Sequence, residues 1–149
     1  GNNGISLLIE TLTDNRNRTA SEIRSILSKN GGSLGETGSV SFNFDKIGEI
    51  RYDLNKISKD NFFNFAVEID AIDVVEENEY ITATCSQSAF GKFRDDLENE
   101  FGEPLKAKLI WQVKNAIKVE ESALKKILLI IDMLEENDDV QEVYTNVNF

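Results

Sequence analysis

The chain has 149 residues, 40% of them hydrophobic and 9% aromatic, enough to bury a core in one domain or two small ones. Its net charge of −11 opposes bare DNA and anionic membrane for the chain as a whole, because nucleic-acid affinity comes largely from basic groups displacing counterions. There is no histidine and one cysteine, Cys85, which excludes zinc sites built from His and Cys as well as Ser-His and Cys-His catalysis.

The chain opens with "GNNG", carries no initiator Met, and enters a strand by about Ile5, so a preceding segment is expected. No signal peptide is visible and no apolar run reaches the ~18 residues of a membrane span. "ISLLIETL" (residues 5–12) is a short apolar run and reads as a buried strand. Polar "TDNRNR" follows as a loop. Thr19 and Glu22 then have capping-box spacing, and Ala20, Ile23 and Leu27 make one apolar stripe on the helix they open. The glycines of "KNGG" suit a left-handed cap at its end. "SVSFNF" alternates apolar and polar residues, and "DKIGEIRYDL" turns at Gly48 into a partner strand, which predicts a hairpin.

"KDNFFNFAVEI" predicts a second helix; its Phe62, Phe63 and Phe65 exceed what one helix face buries, so one of them is expected at the joint between domains. "IDVVEE" and "EYITATC" predict strands, and Cys85 in the second reads as a buried strand residue in a reducing compartment. "SAFGKFRDDLENEFG" predicts a helix, and "LKAKLIWQV" a strand with Trp111 in the core. "ESALKKILLIIDMLEEN" is a long helix with apolar residues at 124, 127, 128, 131 and 134, and "DVQEVYTNVNF" is an alternating closing strand. Counted together, the first block (β-α-β-β) and the last (α-β) supply the six elements of a ferredoxin-like layer, with nearly the same motif inserted between them. The expected fold is therefore α+β: two small ferredoxin-like α/β-sandwich domains, the second inserted in the first, with residues 1–56 and 114–149 forming the discontinuous domain and 57–113 the insert.

Charge is unevenly distributed. Residues 68–79 carry six acids and no base, as do residues 132–142, and both runs read most simply as solvated faces and turns. Arg16, Arg18, Arg24 and Lys29 outweigh Asp14 and Glu22, while Lys106, Lys108, Lys114 and Lys118 face no acid between residues 104 and 118. These are the candidate positive patches. The lysines read as solubility and edge protection or as one exposed nucleic-acid face of a sheet. No exposed aromatic pair is recognisable there for stacking bases.

The stretch "LTDNRNRTASEIRSILSKNGGSLGETGSV", with the closing "LEENDDVQEVYTNVNF", resembles the signature of the YebC family, also called PmpR or the DUF28 group. That family includes a mitochondrial member named as a translational activator of cytochrome c oxidase. The two motifs lie at opposite ends of the chain, so the resemblance covers all of it. It implies three domains, the third inserted in the second, and an N-terminal helical domain rich in Lys and Arg that this chain does not contain. Members are described as DNA-binding transcriptional regulators, and others are tied to translation at the ribosome, including relief of stalling on proline-rich stretches.

Two readings of the signature stay open. A strand-to-helix loop delivers Asn15, Arg16 and Arg18 beside a helix N-terminus, where free N–H groups, the dipole and an Arg fork favour phosphate. Alternatively Asp14 and the asparagines only fix the turn while the arginines pair with acids. "GGSLGETGSV" lacks the Gly-Lys-Ser/Thr of a phosphate loop and reads as a backbone device through Gly31, Gly32, Gly35 and Gly38, or as a contact loop. Asp138 and Asp139 read as a turn, with a hard-cation pair as the other reading.

The expected function is that of a gene-expression regulator of the YebC type, a DNA-binding transcriptional regulator or, alternatively, a ribosome-associated translation factor acting on ribosomal RNA. Candidate phosphate contacts are Asn15, Arg16, Arg18, Arg24 and Lys29, with Lys106 and Lys108 behind them. A second class of reading is a protein-interaction module whose acidic faces engage a basic partner. No spacing singles out paired carboxylates or a lysine for catalysis, so no enzyme, cofactor, metal or small-molecule substrate is expected, nor a membrane. The expected location is the cytoplasm, or the mitochondrial matrix for an organellar member.

Overall fold

A computed structural model describes residues 4–35 and 40–149. In chain order its elements are β1 (Leu7–Thr11), α1 (Arg16–Lys29), β2 (Phe44–Asp53), α2 (Lys59–Glu68), β3 (Asp73–Glu76), β4 (Tyr80–Ser86), α3 (Phe90–Phe101), β5 (Lys106–Val113), α4 (Glu121–Glu135) and β6 (Val140–Thr145), with one 3-10 turn at Ser41–Asn43. The fold is α+β, with two separate sheets. The chain divides into two compact units, one of Gly1–Asp45 with Val113–Phe149, the other of Lys46–Gln112.

The continuous unit contains the whole β-α-β-β-α-β motif. Its sheet order is β3-β4-β2-β5, so the first and third strands of the motif lie side by side in the middle, as in ferredoxin-like layers. β4 pairs antiparallel with both β2 and β3, Ile50 facing Ala83 and Val74 facing Ala83 from the other side. Alternate residues point inward: Ile50 and Tyr52 of β2 and Ile81, Ala83 and Cys85 of β4 meet Phe62 and Ala66 of α2 and Phe93 and Leu97 of α3. Phe62 is fully buried, with Tyr52 and Phe101 each 5.4 Å away ring to ring. The Tyr52 hydroxyl donates to the Gly102 carbonyl at 2.8 Å, and burial, with the Glu98 carboxylate second, pushes its pKa up to about 12. Cys85 is buried and reduced, its thiol pushed up by desolvation, so it behaves as a packing residue.

One expected element is absent. The hairpin turning at Gly48 is instead a single ten-residue strand, β2, which runs straight through Gly48 and pairs Ile47 to Asp53 with β4. Glycine stands there because a Cβ would lie 2.8 Å from Cys85 Sγ and would strike the Phe90 ring. The strand predicted for "SVSFNF" is replaced by the 3-10 turn, and residues 36–39 of the glycine-rich segment lie outside the described residues. Because β2 is spent on the continuous unit, that unit begins at Lys46 rather than near 57.

The discontinuous unit joins β1 and β6 as an antiparallel pair, Leu7 opposite Thr145 and Ile9 opposite Val143. Ile23 and Leu27 of α1 and Ile127, Ile130 and Leu134 of α4 cover it. The stripe of α4 is rotated from the one expected: Ile130 is buried and Leu128 is 45% exposed. Buried Asn146 ties the two ends of the chain, its side chain accepting from the Ser6 N–H and donating to the Gly4 carbonyl, both at 2.8 Å. α1 ends as expected, with Gly31 at φ +81° and the Gly32 N–H returning to the Leu27 carbonyl at 2.8 Å.

Candidate nucleic-acid interface

Helix α1 starts at Arg16, with Asn15 as its N-cap, not at the Thr19–Glu22 capping box. The Asn15 side-chain oxygen accepts from the Arg18 N–H at 3.0 Å, and the Asn15 N–H is itself held by the Thr13 hydroxyl at 3.0 Å. Asn15 is thus engaged by the turn, as short polar side chains are at caps. Thr19 falls one turn inside the helix, only 2% exposed, and its hydroxyl reaches across the unit.

What it reaches is Asp139. One carboxylate oxygen of Asp139 accepts from the Thr19 hydroxyl at 2.7 Å, from Arg18 at 3.0 Å and from the Thr13 hydroxyl at 3.2 Å. Its backbone carbonyl accepts from the Leu12 N–H at 2.9 Å, and the neighbouring Asn137 side chain donates to Glu22 at 2.6 Å. The two signature stretches therefore interlock: "TDNRNRTASE" is clasped by "ENDD". Asp139 acts as a hydrogen-bond acceptor for the protein itself, and among the described residues no cluster of three or more potential ligands assembles around a cation.

The clasp favours the charged form of both partners. The Thr19 bond first, and the Arg18 bond second, hold the Asp139 carboxyl below its ordinary value, and Asp139 in turn raises Arg18. A carboxyl lowered in the folded state stabilises it fully above its unfolded value of about 3.9, and that contribution is lost as the pH falls through the folded value. Asp139→Asn should therefore melt below the parent chain at neutral pH, with the difference narrowing on acidification below about pH 4. Thermal melts across an acid series check this, and a difference that does not narrow would assign the effect to another group.

The remaining candidates divide by environment. Arg18 also pairs with Asp14 at 3.4 Å and is committed to the clasp. Arg16, Arg24 and Lys29 are exposed, with no carboxylate of the described residues within ion-pairing distance. They spread along about 20 Å of helix, thirteen residues at roughly 1.5 Å each. Lys126 of α4, which the sequence reading passed over, comes to the C-terminal end of α1: its Nζ lies 3.3 Å from where a Cβ on Gly31 would sit. Lys106 is on the face of the continuous unit's sheet opposite α2 and α3, ion-paired to Glu49 at 2.8 Å, and Lys108 on the same face is engaged as well. On that face Arg51 stacks over the Tyr80 ring at 4.0 Å and donates to the Thr82 hydroxyl at 3.2 Å. Trp111 of β5 is half-buried under the Lys46 ammonium, 5.0 Å from the ring centre.

The structure thus separates the seven candidates. Asn15 and Arg18 are used internally, Lys106 and Lys108 are engaged on a sheet, and Arg16, Arg24 and Lys29 are the cations that α1 presents to solvent.

Two comparisons bear on this arrangement. A transcriptional-regulator family model, described as the TACO1/YebC second and third domain, matches residues 1–147. The crystal structure of a conserved hypothetical protein from Aquifex aeolicus superposes with a TM-score of 0.86 at 31% identity, covering 97% of this chain. This chain spans 60% of the length of that protein.

Proposed function

Since the chain belongs to the TACO1/YebC family, we propose that it is part of a gene-expression regulator that acts through nucleic acid and catalyses no reaction, in the first place a DNA-binding transcriptional regulator. The family match supports transcription regulation at that level. The observation that carries the nucleic-acid reading is α1, whose first turn holds no acid and whose exposed Arg16, Arg24 and Lys29 lack ion-pair partners among the described residues. Such cations can release counterions from phosphates even on a chain of charge −11.

The alternative is a ribosome-associated translation factor acting on ribosomal RNA. It is favoured by the sheet face of the ferredoxin-like unit that its helices leave uncovered, where half-buried Tyr80 carries a stacked arginine of the kind that also stacks on bases.

Binding to mixed duplex DNA and to ribosomes, each across a salt series, separates the two. Arg16→Ala and Arg24→Ala should each flatten the slope of log affinity against log salt by about one unit on the true target. Arg18→Ala should chiefly lower the melting temperature. Unchanged slopes in both exposed-arginine variants on both targets would remove α1 as the interface.

A further inference from the structure

The continuous unit carries a second surface, unrelated to α1 and independent of the nucleic-acid reading. Lys59, Phe63 and Val67 lie four residues apart along α2 and so form one stripe. Lys59 reaches Glu76 at the end of β3 at 3.5 Å, which places this stripe alongside the strand. β3 is an edge strand, so nothing of the sheet lies beyond it. On this flank Phe63 is 50% exposed, Val67 54%, and Ile72, just past the end of α2, 60%. Large apolar side chains left in water as a group mark a contact surface rather than scattered exposure.

The charge around them is one-sided. Residues 56–80 hold seven carboxylates against Lys56 and Lys59. Two of these acids sit where the local backbone disfavours them. Glu68 closes the last turn of α2, which contains no base, so it adds to the negative end of the helix dipole, from the side shared with Asn61, Asn64 and Phe65 rather than from the Phe63 stripe. Asp70 occupies the left-handed cap position at φ +69°, with the Ala71 N–H returning to the Ala66 carbonyl; the corresponding position after α1 is Gly31. No ion pair or hydrogen bond within the described residues uses the Asp70 side chain.

We infer that this flank, with Phe63, Val67 and Ile72 as its apolar floor and Asp70 with the carbonyl end of α2 as its negative end, docks a cationic amphipathic segment of another protein. A basic side chain on that segment meets Asp70 and the helix C-terminus together, which offsets the negative charge gathered there, while an apolar side chain covers Phe63 and Val67. The other occupants fit less well. Nucleic acid and anionic membrane are repelled by the carboxylates, and a second copy would bring the same sign of charge. Strand addition is opposed too, because the Val74 N–H of β3 is already taken by the Asp73 carboxylate at 2.9 Å.

The test uses the whole chain and a short helical peptide of lysine and leucine with its leucines on one face. A peptide of equal composition with the leucines dispersed is the control. Affinity is read by fluorescence anisotropy at low and moderate salt, and the contact by amide shifts. The segregated peptide should bind more tightly than the control and shift amides around residues 63–72. Asp70→Gly should weaken binding by two- to fivefold, about what one exposed ion pair supplies, while the chain melts no lower than the parent. Phe63→Ser should weaken it about tenfold or more with the fold kept. Equal binding of both peptides, shifts centred on residues 132–142, or full affinity in both variants would each overturn the proposal.

Discussion

Phe62→Ala should destabilise the continuous unit by about 3–5 kcal/mol, the range for a fully buried aromatic replaced by a methyl group. The ring is completely enclosed and packs against Tyr52 and Phe101, each at 5.4 Å. The site cannot collapse easily, because its walls come from different elements: Tyr52 from β2, and Phe101 from the end of α3, where Gly102 also accepts the Tyr52 hydroxyl. The upper half of the range is therefore expected. Denaturant unfolding of the variant measures it. A loss below about 1.5 kcal/mol would show that the aromatic group repacks, as volume-tolerant cores do. Phe63→Ala, one residue along and half in water, should change stability by no more than about 0.5 kcal/mol.

Gly48→Ala is the second large effect, and its sign is not obvious. Alanine restricts the unfolded chain and suits a strand better than glycine, together worth about 0.4–1 kcal/mol in favour of the variant. Against that, the added Cβ would sit 2.8 Å from Cys85 Sγ and collide with the Phe90 ring. Both obstacles are held in the packed unit, where overpacking costs typically 1–3 kcal/mol. The collision wins, and a net destabilisation of about 1–2 kcal/mol is expected. Phe90→Ala in the same chain should recover part of the loss, a coupling that a double-mutant cycle reads directly. Additive losses would mean that the strand yields elsewhere.

Gly48 also marks where reading the sequence went astray. A glycine inside an alternating run signals either a turn or a close approach, and the hairpin reading took the first. Only the tertiary neighbours Phe90 and Cys85 decide for the second, and these are about forty residues away in the chain. The same holds for Thr19: the box spacing with Glu22 was genuine, but Asn15 lies one turn earlier and caps first. Leu128 and Ile130 differ only in which flank of α4 meets α1 and the sheet, a matter of helix rotation that five apolar positions in a row leave undetermined. By contrast α2, β3, β4, α3 and β5 follow from local periodicity and were legible. Of the candidate site, the exposed cations were legible as charges. Their division into clasped and free was not, because Asp139 lies some 120 residues from Arg18 and Thr19.

That separation has a consequence in time. β1 is made before the insert, yet the strand it pairs with among the described residues, β6, and the tie of Ser6 to Asn146 come after it, with Ser6 and Asn146 140 residues apart. At roughly 5–20 residues per second of synthesis, about seven to thirty seconds pass between the two. Residues 46–112 can fold within that interval, since every strand of their sheet is contiguous with them. Their folding shortens the loop that β1 and β6 must close by about half, a saving of only about 0.6 kcal/mol. The insert therefore does little to hasten the closure, and "LLIET" waits as an unpaired apolar strand until β6 emerges. The vulnerable period for β1 is the wait for β6, and a truncation before Asn146 would prolong it indefinitely.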